Sequence, residues 1–368
     1  MRLHIFNPEH DIALAMNMPR FTPPHAGRQM RADLSFLPAI WADDGDMVVV
    51  DDVEAAVEAV RHIRKYAHDV LFVTLDDLRN LALDTSSAVR IEPWGWDVAV
   101  RGQLLRAQPS LQQFLPDDAA LAAIRQMSSR QFASEHLLPL LHDANPSVVG
   151  ESVYCDSEQK TLAMIGQYGR SVLKSPWSCS GRGIRYINTP EPDEHTVGWL
   201  RNVIRQQGGI MVEPFYAKVY DFGMEFQSTP DKGIVYSGLS LFDTRAGAYT
   251  GSICATENDK REMLSQYVDL ALIDTICQQI QTILQPLMNG VYYGPFGIDM
   301  MAVAKNSGSG FLLHPCVELN LRRTMGHVAL TLSPSEFEPR RIMSIYYSDK
   351  HRIRIQNTMD NLLNTGLV

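Results

Sequence analysis

Asp299, Glu318 and Asn320 are the residues of this chain best placed to do chemistry. The acids interrupt two apolar runs, residues 296–303 and 311–319, on either side of the turn-forming Asn306-Ser307-Gly308-Ser309-Gly310. That is the pattern of a β-hairpin with a longer loop. Asp299 lies in the first run and Glu318 in the second, among Phe296, Ile298, Met300, Val317 and Leu319. Asn320 follows Glu318 by two residues, and side chains at i and i+2 share a strand face. The hairpin can therefore gather three oxygen donors on one face, the hard-donor chemistry that Mg²⁺ prefers. Arg322 continues the i+2 series and sets a cation beside the acids. Surface acids on an edge hairpin are the plainer alternative, and the apolar neighbours weigh against it.

A second group of residues suits phosphate. Arg170-Ser171-Val172-Leu173-Lys174 reads as a short strand ending on Lys174, followed by Ser175-Pro176-Trp177-Ser178-Cys179-Ser180-Gly181-Arg182-Gly183. Backbone N–H groups in a small-residue loop can point at phosphate oxygens while an ammonium neutralises their charge. Taken alone, such a loop more often simply joins two strands. Glu213, before Pro214 at the end of a strand over residues 210–215, is followed eight residues on by Asp221. Acids so placed suit an adenine edge and ribose hydroxyls.

The elements that must position these groups follow from periodicity. Residues 2–6, 47–50 and 70–74 read as strands and 54–66 as a helix, which implies an α/β layer with a parallel sheet. Loops beyond the carboxyl ends of such strands tend to hold ligands. Asn7, Glu9, His10 and Asp11 are therefore candidates for ligand contact, or else a turn with Asp11 capping the next helix. Arg20 and Arg28 bound an irregular segment with a possible anion contact. Trp94-Gly95-Trp96-Asp97 and Arg101 read as a packing turn before a helix at 101–107. No GxGxxG fingerprint is present. Further on, helices are expected at 119–126, from Arg130 through Leu138 behind the capping Ser128-Ser129, and at 194–207 before Gly208-Gly209. Strands are expected at 233–242 and 249–254 with Arg245 in the turn between them, then a long amphipathic helix at 262–284.

Composition excludes several classes. The 368 residues, 45% hydrophobic and 20% charged, are those of an ordinary globular chain with room for two or more domains. A net charge of −9 with no basic run argues against nucleic acid. No run approaches a membrane span, and the opening residues are not expected to act as a signal peptide. Cys155, Cys179, Cys254, Cys277 and Cys316 are scattered without a CxxC pair, so neither a disulfide framework nor a zinc site is suggested. A reduced, cytoplasmic enzyme is expected.

In order along the chain, these features resemble the ATP-grasp superfamily, whose members hold ATP between two α+β subdomains. The resemblance covers roughly residues 120–330. It implies a Rossmann-like α/β pre-grasp domain at 1–120 and a first grasp subdomain at 121–209. A second grasp subdomain would span 210–335, with a C-terminal extension at 336–368 expected to be helical. It implies ATP and Mg²⁺, or Mn²⁺ in its place, as cofactors. Lys174 would bind phosphate, with Ser180, Gly181 and Gly183 in the flap above it. Glu213 and Asp221 would contact adenine and ribose. Asp299, Glu318 and Asn320 would hold the metal, the last two in the family's E-x-N motif, which Arg322 extends to E-x-N-x-R. Arg130 stands where the family has an earlier phosphate-binding lysine, a change that keeps charge and alters donor geometry. Gly297 stands where a basic residue often precedes the metal-binding aspartate, which leaves Arg245, Arg182 or Arg323 to supply charge. Arg322, Lys174 and Arg245 are then the expected catalytic residues, and His10, His25, His314 and His327 have no assigned part.

The implied activity is ligation of a small-molecule or peptide carboxylate to an amine through an acyl-phosphate. The alternatives are a grasp-fold kinase and a nucleotide binder without turnover. No nucleic-acid or membrane partner is expected; the resemblance allows a homodimer, and the sequence does not fix the oligomeric state.

Overall fold

The computed structural model describes residues 2–80, 89–142, 145–178, 183–245, 248–306 and 308–358. The chain forms two compact units: residues 1–125, 250–256 and 322–368 make the first, and 126–249 with 257–321 make the second.

In the first unit, β1 (Arg2–Ile5), β2 (Met47–Val49), β3 (Leu71–Val73) and β4 (Arg90–Pro93) form a parallel sheet in the order β3-β2-β1-β4. Short aliphatic strands of this kind bury both faces between helices. Leu3, Ile5, Met47, Val49, Leu104 and Leu111 make the core. Helix Val53–Arg61 starts where Asp52 accepts from Ala55 N, and helix Val98–Ala107 where Asp97 accepts from Ala99 N and Val100 N. Asp11 is not at the N-cap position: helix His10–Met16 begins after Glu9 and carries Asp11 inside its first turn.

The second unit opens with β5 (Val153–Cys155), β6 (Ser171–Lys174), β7 (Ile184–Ile187) and β8 (Ile210–Pro214), an antiparallel sheet in the order β5-β8-β6-β7. Helices Glu158–Tyr168 and Glu194–Gln207 bury Ile165, Leu200 and Val203 on its core. The second helix ends at Gly208, whose φ of 86° is the left-handed cap that glycine adopts without strain. β9 (Lys218–Thr229) and β10 (Gly233–Arg245) follow as an antiparallel pair, and β11 (Ala248–Cys254) passes into the first unit at Thr250. β12 (Gly294–Ala304) then pairs with β9 on one side and with β13 (Phe311–Asn320) on the other. The single helix expected at 262–284 is two, Glu257–Leu264 and Leu270–Met288, because Asp269 starts a new one by accepting from Ala271 N.

The expected helical C-terminus is overturned within the described residues. β14 (Arg341–Tyr347) and β15 (His351–Asn357) form an antiparallel hairpin, and β14 also pairs with residues 251–254 of β11. The reason is period. Ile353 and Ile355 alternate with Arg352 and Arg354, a two-residue repeat that suits a half-buried strand and gives a helix no continuous face.

Candidate active site

The metal-hairpin residues share a sheet face. Asp299 stands directly opposite Glu318, and Gly297 opposite Asn320, so Asp299, Glu318 and Asn320 project to the same side. On the other flank of β12, Asp299 faces Gly223 and Gly297 faces Glu225. Glu225 therefore belongs to this face, and it is 2% exposed. The sequence reading passed over it. The signal was its i+4 spacing from Asp221 on a strand whose other face is Phe222, Met224 and Phe226. Glycine at 223 lets the two strands approach closely: a Cβ there would lie 3.2 Å from the Ile298 carbonyl oxygen, while Asp299 Oδ1 and Glu225 Oε1 would stand at ordinary contact distance. The ladder shifts between Asp299 and Met301, opposite Pro315, which has no N–H to give.

Two cross-strand acids repel unless a cation intervenes. Arg130 supplies one. Its guanidinium is buried; Nη2 donates to Glu318 Oε1 at 2.7 Å, and Nη1 to Ser175 O at 2.7 Å and Ser178 Oγ at 2.8 Å. One arginine thus joins the hairpin to the start of the loop after Lys174. Ser175 N donates to Gly183 O at 2.8 Å, closing the loop's base. Gly183 must be glycine there, since a Cβ would fall 2.4 Å from Ser178 Cβ. Ser180 and Gly181, like Arg182, lie outside the described residues.

Lys174 ends β6 as expected and is buried with its Nζ 2.7 Å from Glu213 Oε2. The second Glu213 oxygen accepts from Ser152 Oγ at 3.0 Å. The lysine assigned to phosphate and the acid assigned to the nucleoside are therefore one ion pair. A buried pair survives only when such hydrogen bonds satisfy its remaining atoms.

Lys174 at the end of β6, Glu213 on β8 and the β12–β13 hairpin with Asp299, Glu318 and Asn320 all belong to the second unit. The chain is a mixed α/β protein, with a parallel sheet in the first unit and antiparallel sheets in the second. No family model and no curated protein matches the sequence. Among solved structures, N5-carboxyaminoimidazole synthetase from Staphylococcus aureus with ADP is 13% identical, covers 94% of this chain and 82% of its own, and has a TM-score of 0.49. The biotin carboxylase domain of 2-oxoglutarate carboxylase from Hydrogenobacter thermophilus, with MgADP, is 14% identical, covers 82% and 69%, and has a TM-score of 0.49. A protein from Archaeoglobus fulgidus assigned to the ATP-grasp superfamily is 12% identical over 97% and 99%, with a TM-score of 0.47.

No group of three or more His, Cys, Asp and Glu side chains is arranged around a metal position among the described residues. Two carboxylates and one amide oxygen on a single face instead fit an ion that keeps waters and takes further oxygens from phosphate, the usual habit of Mg²⁺. Two further groups on β13, Cys316 and His314, stay uncharged at neutral pH. Burial, with Asp299 adding to it, pushes the Cys316 thiol up, so it stays protonated. Burial and the charge of Lys174 bring His314 down to about 3. Its ring stands edge-on to Tyr216, centroids 5.4 Å apart, and neither ring nitrogen has a hydrogen-bond partner.

The remaining expected residues are placed as follows. Asp221 pairs with Lys218 and accepts from Thr244 Oγ1 at 2.9 Å. Arg245, expected in a turn, is the last residue of β10, and its side chain lies outside the described part. β13 ends at Asn320, so the alternation does not reach Arg322. Arg322 belongs to the first unit, where Nε and Nη2 donate to the two Asp11 oxygens at 3.0 and 2.9 Å. Among the described residues, no helix is long and apolar enough to cross a membrane.

Proposed function

We propose that the chain is an ATP- and Mg²⁺-dependent ligase that joins a carboxylate to an amine. The observation that carries this reading is Arg130, which ties Glu318 of the acidic hairpin to the loop following Lys174. A polyphosphate needs cations on its oxygens and acids for its metal, and this one side chain joins both sets. Asp299, Glu318 and Asn320 would hold a divalent ion, which offsets phosphate charge when bound. Lys174 and Arg130 are the cations that exchange a carboxylate or carbonyl partner for phosphate oxygens. Glu213, relieved of Lys174, is then an acceptor for the nucleoside.

The reaction asks little covalent chemistry of the protein. An oxygen of the acid substrate attacks the γ-phosphorus and the bond to the ADP oxygen breaks. The amine then attacks the acyl carbon, phosphate leaves, and the amine gives up a proton. Positioning and charge stabilisation suffice for both steps. The test is steady-state ADP release with ATP, Mg²⁺ and pools of carboxylic acids and primary amines. Sustained release should need both pools. Release sustained by an alcohol pool alone would make the protein a kinase, and release with no pool would leave it a binder without turnover.

A further inference from the structure

Arg130 holds a carboxylate oxygen that the proposed ion also needs. Asp299 and Glu318 stand opposite one another on β12 and β13, so an ion shared by the two must be met by a Glu318 oxygen. Arg130 Nη2 already donates to Oε1 at 2.7 Å, and the arginine side chain is only 6% exposed. A dication has two ways in. It displaces the guanidinium from Oε1, or it takes the second oxygen with a positive charge beside it. Both set like charges against each other where water screens them poorly.

The two edges of this guanidinium are fastened differently. Nη1 is fixed to the segment after Lys174 by Ser175 O and Ser178 Oγ, and the backbone of the same residue joins it there, Arg130 N donating to Pro176 O at 3.0 Å. The Nε–Nη2 edge makes one bond only, to Glu318, and the buried Nε has no hydrogen-bond partner. Arg322 shows what that edge does when fully used: its Nε and Nη2 take both oxygens of Asp11 at 3.0 and 2.9 Å. A phosphate group offers Arg130 the same two-oxygen match, which Glu318 gives it by half. Phosphate is therefore the partner that can draw the edge from Glu318 while Nη1 stays where it is.

We propose that Arg130 is a lock on the metal face: it keeps a divalent ion off Glu318 until a polyphosphate takes its Nε–Nη2 edge, so that the ion enters with or after the polyphosphate and not before it. The lock rests on the metal part of the proposed function and adds to it an order of binding.

Calorimetric titration of the full chain with MnCl₂ alone, without nucleotide, tests the lock by ion binding rather than turnover. Arg130→Gln should bind Mn²⁺ about ten-fold or more tightly than wild type, the release of one charge-assisted hydrogen bond. Adding Asp299→Asn should remove that gain, which places the ion on the hairpin. Arg130→Lys has too short a reach to hold both Glu318 and Ser175 O, and should gain in the same direction if Arg130→Gln does not fold. A second titration, with ATP in EDTA, reads the exchange itself. Arg130→Gln should bind metal-free ATP about ten-fold or more weakly than wild type. Equal Mn²⁺ affinity in wild type and the Arg130 variants would overturn the lock, as would a gain that survives Asp299→Asn, or unchanged metal-free ATP affinity. The metal reading is judged apart from it: that reading survives an overturned lock if wild type still binds ATP more tightly with Mg²⁺, and falls with the lock if it does not.

Discussion

The two charged clusters of this chain are balanced in opposite ways. In the second unit, two acids of the candidate site are each met by a cation distant in sequence. Glu318 meets Arg130 at 2.7 Å across 188 residues of sequence, and Glu213 meets Lys174 at 2.7 Å. In the first unit, Arg31 serves one oxygen of Glu9, and the other has no donor. The first arrangement is closed and the second is open. A closed cluster binds a polyanion by partner exchange, each cation trading a carboxylate for phosphate. An open carboxylate binds by addition, and one donor completes it.

The comparison can be broken at several points. Glu318→Gln keeps an acceptor for Arg130 and removes a metal-binding charge. Mg²⁺-dependent ADP formation should fall by about a thousand-fold, the loss of roughly 4 kcal/mol of transition-state stabilisation. Thermal stability should hardly change. Full turnover in that variant would remove the metal role. Lys174→Met separates binding from folding. It leaves Glu213 buried without its cation, which should cost about 3–5 kcal/mol in a denaturant titration. It should also weaken ATP binding by roughly ten- to a hundred-fold. Adding Glu213→Gln should restore most of the stability and none of the affinity. Restored affinity would mean that Lys174 serves only its buried partner.

His314 gives an effect graded with pH. Unfolded, it titrates near 6.5; folded, burial and Lys174 bring it to about 3. Between those values the unfolded chain binds the extra proton, so stability is lost as pH falls through that window. The slope for this one group is at most about 1.4 kcal/mol per pH unit. His314→Phe should flatten the pH dependence of unfolding between 3 and 6.5, and an unchanged slope would assign the acid loss to other groups.

The hairpin was legible because Asp299 and Glu318 break apolar runs whose period of two fixes their face. Lys174 was legible because it ends a short strand before a loop of small residues. The partners were not. The pairing of Arg130 with Glu318 and of Lys174 with Glu213 depends on how distant strands and helices stack, and no local spacing carries that. Glu225 was hidden by its setting, since Phe222, Met224 and Phe226 drew attention to the other strand face. Arg322 was misjudged by extending alternation past Asn320, where β13 stops. The alternating Ile353 and Ile355 of the C-terminal hairpin were there to be read, and helix was expected in their place.

On the proposed reading, Mg²⁺ and ATP bind together at the face carrying Asp299. An ATP titration of wild type and Asp299→Asn, with and without Mg²⁺, tests it most directly. Wild type should bind ATP at least about ten-fold more tightly with the ion, and Asp299→Asn should lose that gain while keeping its metal-free affinity. Binding that ignores Mg²⁺ in wild type, or an undiminished Mg²⁺ gain in Asp299→Asn, would contradict the claim.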